Sequence, residues 1–217
     1  TVSLVPGGDN RNATFTINAV GNGVASINIY ACSIKDDKSS AVKTKTINLT
    51  VTNNIEYATV QISDVTYNGT AQTPAISVYF DSIELRKESD YSVRYENNTN
   101  AGQAKATITG KGQYYLGTKV VYFNILPASI TNAVVTIKDQ TYCGKPLTPA
   151  ATVSLTLYDN SGKEKKMTLS PSNSKDYSIS YSNNINAGTA TAVITGNGNY
   201  CGTITRTFNI AAVDIAR

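Results

Sequence analysis

The chain has 217 residues, of which 16% are charged, with a formal net charge of +4, no His and no Trp. Without His it can hold no Ser-His-Asp or Cys-His nucleophilic system, no HExxH zinc motif and no imidazole acid or base, and its scattered Lys and Arg make no basic face for nucleic acid. No run of about 18 apolar residues is present to span a membrane, and Ser, Thr, Asn and Gly replace charge, a composition that favours strands and turns.

The opening TVSLV reads as a strand and, lacking Met, as an internal or processed piece of something longer. Further strands are expected at 13–20, 23–33 and 41–51, with Ala25, Ile27, Ile29 and Ala31, then Ile47, Leu49 and Val51 facing inward. Four short strands bury only a small core. Residues 1–54 are therefore expected to be the carboxy-terminal part of a domain.

Beyond residue 54 the chain repeats itself. Residues 90–112 and 176–198 share 15 of 23 positions. VTYNGTAQTPA (65–75) matches QTYCGKPLTPA (140–150), and YFNIL (122–126) matches TFNIA (207–211). The change of offset from 75 to 86 places eleven extra residues in the second copy, around YDNSGKEKKMTLSPSNSK, which reads as a longer hairpin turning at Asn160-Ser161-Gly162. A period of about 80 residues exceeds the roughly 20–50 of a solenoid unit and suits small domains in a row.

Within each copy the pattern has period two. Tyr91, Val93 and Tyr95 alternate with Ser92 and Arg94, and Ala104, Ala106 and Ile108 with Lys105 and Thr107. The second copy keeps both sets as Tyr177, Ile179, Tyr181 and Ala190, Ala192, Ile194. Alternation of this kind marks antiparallel strands with one face buried, and the intervening NNTNAG and NNINAG make tight turns. Six or seven short strands per copy predict an all-β fold of tandem, small antiparallel β-sandwich domains. The expected divisions are 1–54, 55–128 and 129–217, with linkers near Asn53-Asn54 and 127–132.

The runs YNG…TP…DYSVRYENNTNAGQAKATITGKGQYYLG…FNI and YCG…TP…DYSISYSNNINAGTATAVITGNGNYCG…FNI closely resemble the YGX-type immunoglobulin-like repeats of bacterial surface proteins. The segment GNGVASINIYACSI…TKTINLTVT is similar to the end of a group 2 bacterial Ig-like domain. The resemblance implies a non-enzymatic, exported protein, extracellular at the bacterial surface or secreted. Its tandem Ig-like modules would serve as a stalk or spacer presenting a binding or adhesive region. It implies no cofactor, no metal and no catalytic residue. The expected partner is a host or environmental glycan or protein, met by a monomer with no membrane span in this piece. The alternative is a glycan-binding module or the spacer of a carbohydrate-active enzyme.

Four side chains are candidates for a site. By alternation Tyr79 and Tyr122 face outward, where rings stack on sugars; their counterparts are Ser154 and Thr207, and the competing reading is isolated rings on a wet strand face. Cys143 and Cys201 both occur in the second copy and are both absent from the first, as Asn68 and Leu116. Joint presence suits a disulfide, which an exported protein keeps; the competing reading is two unpaired small hydrophobes. Cys32 has no partner in view and is expected to be free or bound to upstream residues. Tyr67/Tyr142 and Tyr91/Tyr177 are expected to be buried anchors bonded to backbone, Asp90 and Asp176 to bond turn amides, and KEKK (163–166) to be a solvated hairpin tip. Asp159-Asn160-Ser161-Gly162 lacks the spaced carboxylates of a calcium loop and reads as a turn.

Overall fold

A computed structural model of the chain describes residues 2–6, 13–17, 23–32, 41–172 and 175–214. The protein is all-β, with several sheets and, among the described residues, no α-helix. Among these residues no helix is long and apolar enough to cross a membrane. Strands β1 (Val2–Pro6) and β2 (Ala13–Ile17) pair antiparallel, as do β3 (Gly23–Cys32) and β4 (Ala41–Val51), in which Ile27 faces Ile47. Of the expected inward set Ile27, Leu49 and Val51 are half-buried, whereas Ile47 is exposed; the side chains of Ala25, Ile29 and Ala31 lie outside the described set.

The first copy runs through β5 (Asn53–Asn54), β6 (Thr59–Ile62), β7 (Val65–Thr66), β8 (Ile76–Phe80), β9 (Ile83–Glu84), β10 (Tyr91–Glu96), β11 (Gly102–Gly110), β12 (Tyr115–Leu116) and β13 (Thr118–Leu126). The second runs through β14 (Ala128–Ser129), β15 (Val134–Ile137), β16 (Gln140–Thr141), β17 (Ala151–Tyr158), β18 (Glu164–Leu169), β19 (Tyr177–Ser182), β20 (Gly188–Gly196), β21 (Tyr200–Cys201) and β22 (Thr203–Ala211). Every strand of one copy has a counterpart in the other, and so does every sheet. The order β10-β11-β13-β7 answers β19-β20-β22-β16, β6-β8-β9 answers β15-β17-β18, and β5-β12 answers β14-β21. Each copy thus has more strands than the expected six or seven. The surplus is two-residue pairings, too short for any alternation to show in sequence.

The copies differ where the offset changes. In the first, Phe80 pairs Ile83 across Asp81-Ser82, both at positive φ (47° and 69°). In the second, Tyr158 pairs Glu164 across a longer turn containing Gly162 at φ 80°. The Asp159 carboxylate closes that turn, accepting from Ser161 N (2.9 Å), Ser161 Oγ (2.6 Å) and Lys163 N (2.9 Å).

The residues form two compact units: one comprises 1–60, 78–94 and 107–120, the other 61–77, 95–106 and 121–217. The first buries Ile55, Ala58, Val78, Leu85, Tyr91 and Ile108. The second holds one continuous core. It includes Ala190, Ala192 and Ile194 on β20, Val153 and Leu155 on β17, and Phe208 and Ile210 on β22, joined to Tyr67, Phe123 and Ile125. Full burial of a side chain such as Val153 or Ile194 contributes roughly 1.5–3 kcal/mol. Tyr177 is a buried anchor as expected, its hydroxyl donating to Ala151 O at 2.8 Å. Tyr91 is equally buried.

The repeated glycines answer two different needs. Gly102 and Gly188 sit at φ 131° and 132°, a region that disfavours any side chain. Gly110 and Gly196 do not have positive φ; they are glycine because backbone passes over them. A Cβ on Gly110 would lie 2.7 Å from Tyr115 C, and one on Gly196 2.8 Å from Cys201 N. Gly196→Ala should therefore cost about 1–3 kcal/mol, as overpacking does; urea unfolding of the variant against the native chain measures it.

Candidate functional site

Two candidate positions part company at once. Cys143 follows β16, whose Thr141 pairs with Ala211 at the end of β22, while Cys201 precedes β22, which begins at Thr203. The length of β22 separates them, roughly 25 Å at about 3.3 Å per residue, far beyond the reach of a disulfide. The expected Cys143–Cys201 bridge is therefore not formed. Both thiols are free and exposed, Cys143 Sγ facing Lys145 O at 3.8 Å and Cys201 Sγ facing Pro127 O at 3.4 Å. The side chain of Cys32 lies outside the described residues. Joint occurrence in one copy misled because it carries no information on which end of a strand each residue occupies. Native protein should therefore take up alkylating reagent at both Cys143 and Cys201 without reductant, read by peptide mass spectrometry.

The tyrosines separate as well. Tyr122, on β13, is 58% exposed, whereas Tyr79, on β8 opposite Glu84, is half-buried. Among the described residues no three Cys, Asp or Glu side chains gather as a metal site would require. The carboxylates serve the backbone instead. Asp90 accepts from Arg86 N and Asp176 from Ser170 N, each at 2.8 Å, as expected. Asp64 and Asp139 accept from Asn124 N and Asn209 N, each at 2.7 Å. Those hydrogen bonds hold the Asp64 and Asp90 carboxyls below the ordinary range, the amide of Asn124 and that of Arg86 being the largest cause in each.

What the second unit does assemble is a junction between the two copies. The linker strand β14 pairs in parallel with β21, Ala128 opposite Tyr200 and Ser129 opposite Cys201. Ala128 N donates to Asn199 O at 2.9 Å, and Ile130 N to Cys201 O at 2.9 Å. Asn199 then reaches the loop 97–102 of the first copy. Its Oδ1 accepts from Ala101 N at 2.7 Å and its Nδ2 donates to Asn100 Oδ1 at 3.1 Å. The long hairpin covers the other side: Asn68 Nδ2 donates to Asn160 Oδ1 (2.8 Å), Asn160 Nδ2 to Ala71 O (3.1 Å), and Lys165 Nζ to Gly69 O (2.5 Å). Lys165 is thus not part of a solvated tip, as KEKK was expected to be; its ammonium is held by a carbonyl.

At the centre the rings of Tyr67 and Tyr200 meet edge to face, 5.5 Å apart. This contact separates the two tyrosines expected to be equivalent anchors. Tyr67 is 8% exposed, but Tyr142 is 39% exposed. The expectation for Tyr142 is corrected: Tyr67 meets the Tyr200 ring of the following copy and joins a core shared by both copies, whereas Tyr142 stays exposed. Sequence reading missed the junction because its parts lie about 70 to 130 residues apart. One signal was available: the offset of 75 extends back to Asn53, so that Asn53, Asn54, Ile55 and Ala58 match Ala128, Ser129, Ile130 and Ala133.

Burial holds the Tyr200 hydroxyl protonated well above the ordinary tyrosine range, with neighbouring Tyr67 adding to the effect. Tyr177 and Tyr181 are raised as well, burial again being the largest cause. A group with a raised folded pKa keeps its full stabilising effect below the unfolded value, about 10 for tyrosine, and loses it as pH climbs beyond. Resistance to urea should fall between about pH 10 and 12, and Tyr200→Phe should shrink that fall; the measurement is urea unfolding at pH 9 and pH 11.5.

No protein-family model and no curated protein matches the chain.

Proposed function

We propose that the chain is a non-catalytic piece of an exported bacterial surface protein. Ig-like β-sandwich repeats at 55–128 and 129–217, preceded by the end of a related domain at 1–54, act as a stalk or spacer that holds a binding or adhesive region at a set distance and orientation. The resemblance of the repeated runs to bacterial surface repeats supports the location and class. The observation that carries the role is the junction: a linker consumed by the β14–β21 pairing leaves no slack, and amide, ammonium and ring contacts clamp both of its sides. A spacer transmits position only when successive modules cannot hinge.

The exposed ring of Tyr122 favours a second reading, glycan binding on the face of β13. Two measurements separate and test these readings. NMR relaxation should give one rotational correlation time on both sides of residues 127–130 in the native chain; independent tumbling there would sink the spacer. Affinity electrophoresis through a panel of polysaccharides should show no retardation, whereas retardation lost in Tyr122→Ala would select the second reading.

A further inference from the structure

The junction has two halves, and the second copy carries its own version of the half that receives. On the first copy the seat consists of Tyr67, Asn68 and the carbonyls of Gly69 and Ala71 after β7, with Asn100 and Ala101 in the loop between β10 and β11. The matching positions on the second copy are Tyr142, Cys143, Gly144, Pro146, Asn186 and Ala187.

The backbone of this second seat is already in place. Gly69 and Gly144 have φ 76° and 72°, Asn97 and Asn183 55° and 54°, Gly102 and Gly188 131° and 132°. The bonds beneath it are duplicated. Gln72 N donates to Asn98 O at 2.7 Å and Leu147 N to Asn184 O at 2.8 Å; Asn98 Nδ2 and Asn184 Nδ2 return to the carbonyls of residues 72 and 147, each at 2.8 Å. Tyr95 and Tyr181 donate to Pro74 O (2.6 Å) and Pro149 O (2.5 Å). The chain also leaves in the same way, Tyr67 N on Leu126 O at 2.8 Å and Tyr142 N on Ala211 O at 2.9 Å.

The side chains on the seat and their covering differ: Cys143 and Leu147 stand where Asn68 and Gln72 bond each other. Where Tyr67 meets Tyr200, Tyr142 is exposed, and so is Ile185 in the loop 183–188. We infer that the end of the second copy bearing Tyr142, Cys143 and the loop 183–188 is a docking seat for a further all-β unit of this same repeat. That unit would present a tyrosine at the Tyr200 position and a paired linker strand, as both copies here do with Tyr115 and Tyr200. Sequence spacing agrees: Ala212-Val213-Asp214-Ile215 falls in the register of Thr52-Asn53-Asn54-Ile55 and Pro127-Ala128-Ser129-Ile130. This inference rests on the stacking reading proposed above.

Cys143 reports on the seat directly, because it occupies the place of Asn68 and is exposed. The test extends the full chain by a third unit, its own residues 127–217 joined after Ala211, with every cysteine except Cys143 replaced by Ser. Alkylation of Cys143 should slow by at least about tenfold relative to the unextended chain, as closure of a stable contact requires, and Tyr142→Glu in the extended chain should restore the fast rate. Unchanged reactivity in an extended chain that unfolds cooperatively overturns the inference, as does an added unit that stays unfolded. Concentration-dependent protection of Cys143 in the unextended chain would give the seat to a second molecule and also overturn it. Asn68→Cys in the unextended chain, with the native cysteines replaced by Ser, separates this failure from that of the stacking reading. It should react more slowly than Cys143 does; equal rates would mean that the existing junction is open, and stacking itself would fail.

Discussion

The structure turns on a contact made twice: a two-residue linker strand pairs in parallel with the two-residue strand that precedes the last long strand of its copy. Asn53–Asn54 does so with Tyr115–Leu116, and Ala128–Ser129 with Tyr200–Cys201. Few hydrogen bonds are involved, yet they fix much else. They bring the backbone of Tyr115 and Cys201 over Gly110 and Gly196, where no Cβ fits. They pin Ile55 and Ile130, both fully buried, immediately after the pairing. Because parallel pairing needs a crossover and cannot be closed by a tight turn, the contact ties together the two ends of a copy.

Amides do here the work that charges do in more ionic proteins. The junction is held by Asn68, Asn100, Asn160 and Asn199, of which Asn160 and Asn199 each supply donor and acceptor from one side chain, with the Lys165 ammonium beside them. Neutral partners make the contact less sensitive to salt than an ion-pair interface would be. Satisfaction is complete as well: among the described residues no buried side-chain nitrogen or oxygen lacks a partner.

Duplication separates scaffold from surface. The positions shared by the copies are those that fold each one: Tyr91 and Tyr177, Asp90 and Asp176, the Asn-rich loop, the buried Ala and Ile of β11 and β20. Those that differ include Tyr79 and Tyr122 against Ser154 and Thr207, Asn68 against Cys143, and the short β8–β9 turn against the long β17–β18 hairpin. The hairpin shows what such a difference does, since Asn160 and Lys165 are the residues that clamp the first copy. The fold alone assigns no ligand.

Period-two alternation, turn residues and the internal repeat determined the all-β class, the long strands of both copies, the turn at Asn160-Ser161-Gly162 and the buried Tyr91 and Tyr177, because these depend on neighbours a few residues away. Position in space was another matter. Cys143 and Cys201 read as a pair until the register of β16 on β22 put them at opposite ends of a strand. Tyr67 and Tyr142 read as equals until Tyr200 covered one and left the other exposed. KEKK read as solvated until Lys165 reached Gly69 O across 96 residues. Alternation tells which way a side chain points from its own strand; what meets it there is decided by chain that arrives from far away, and only the tertiary structure brings that chain in.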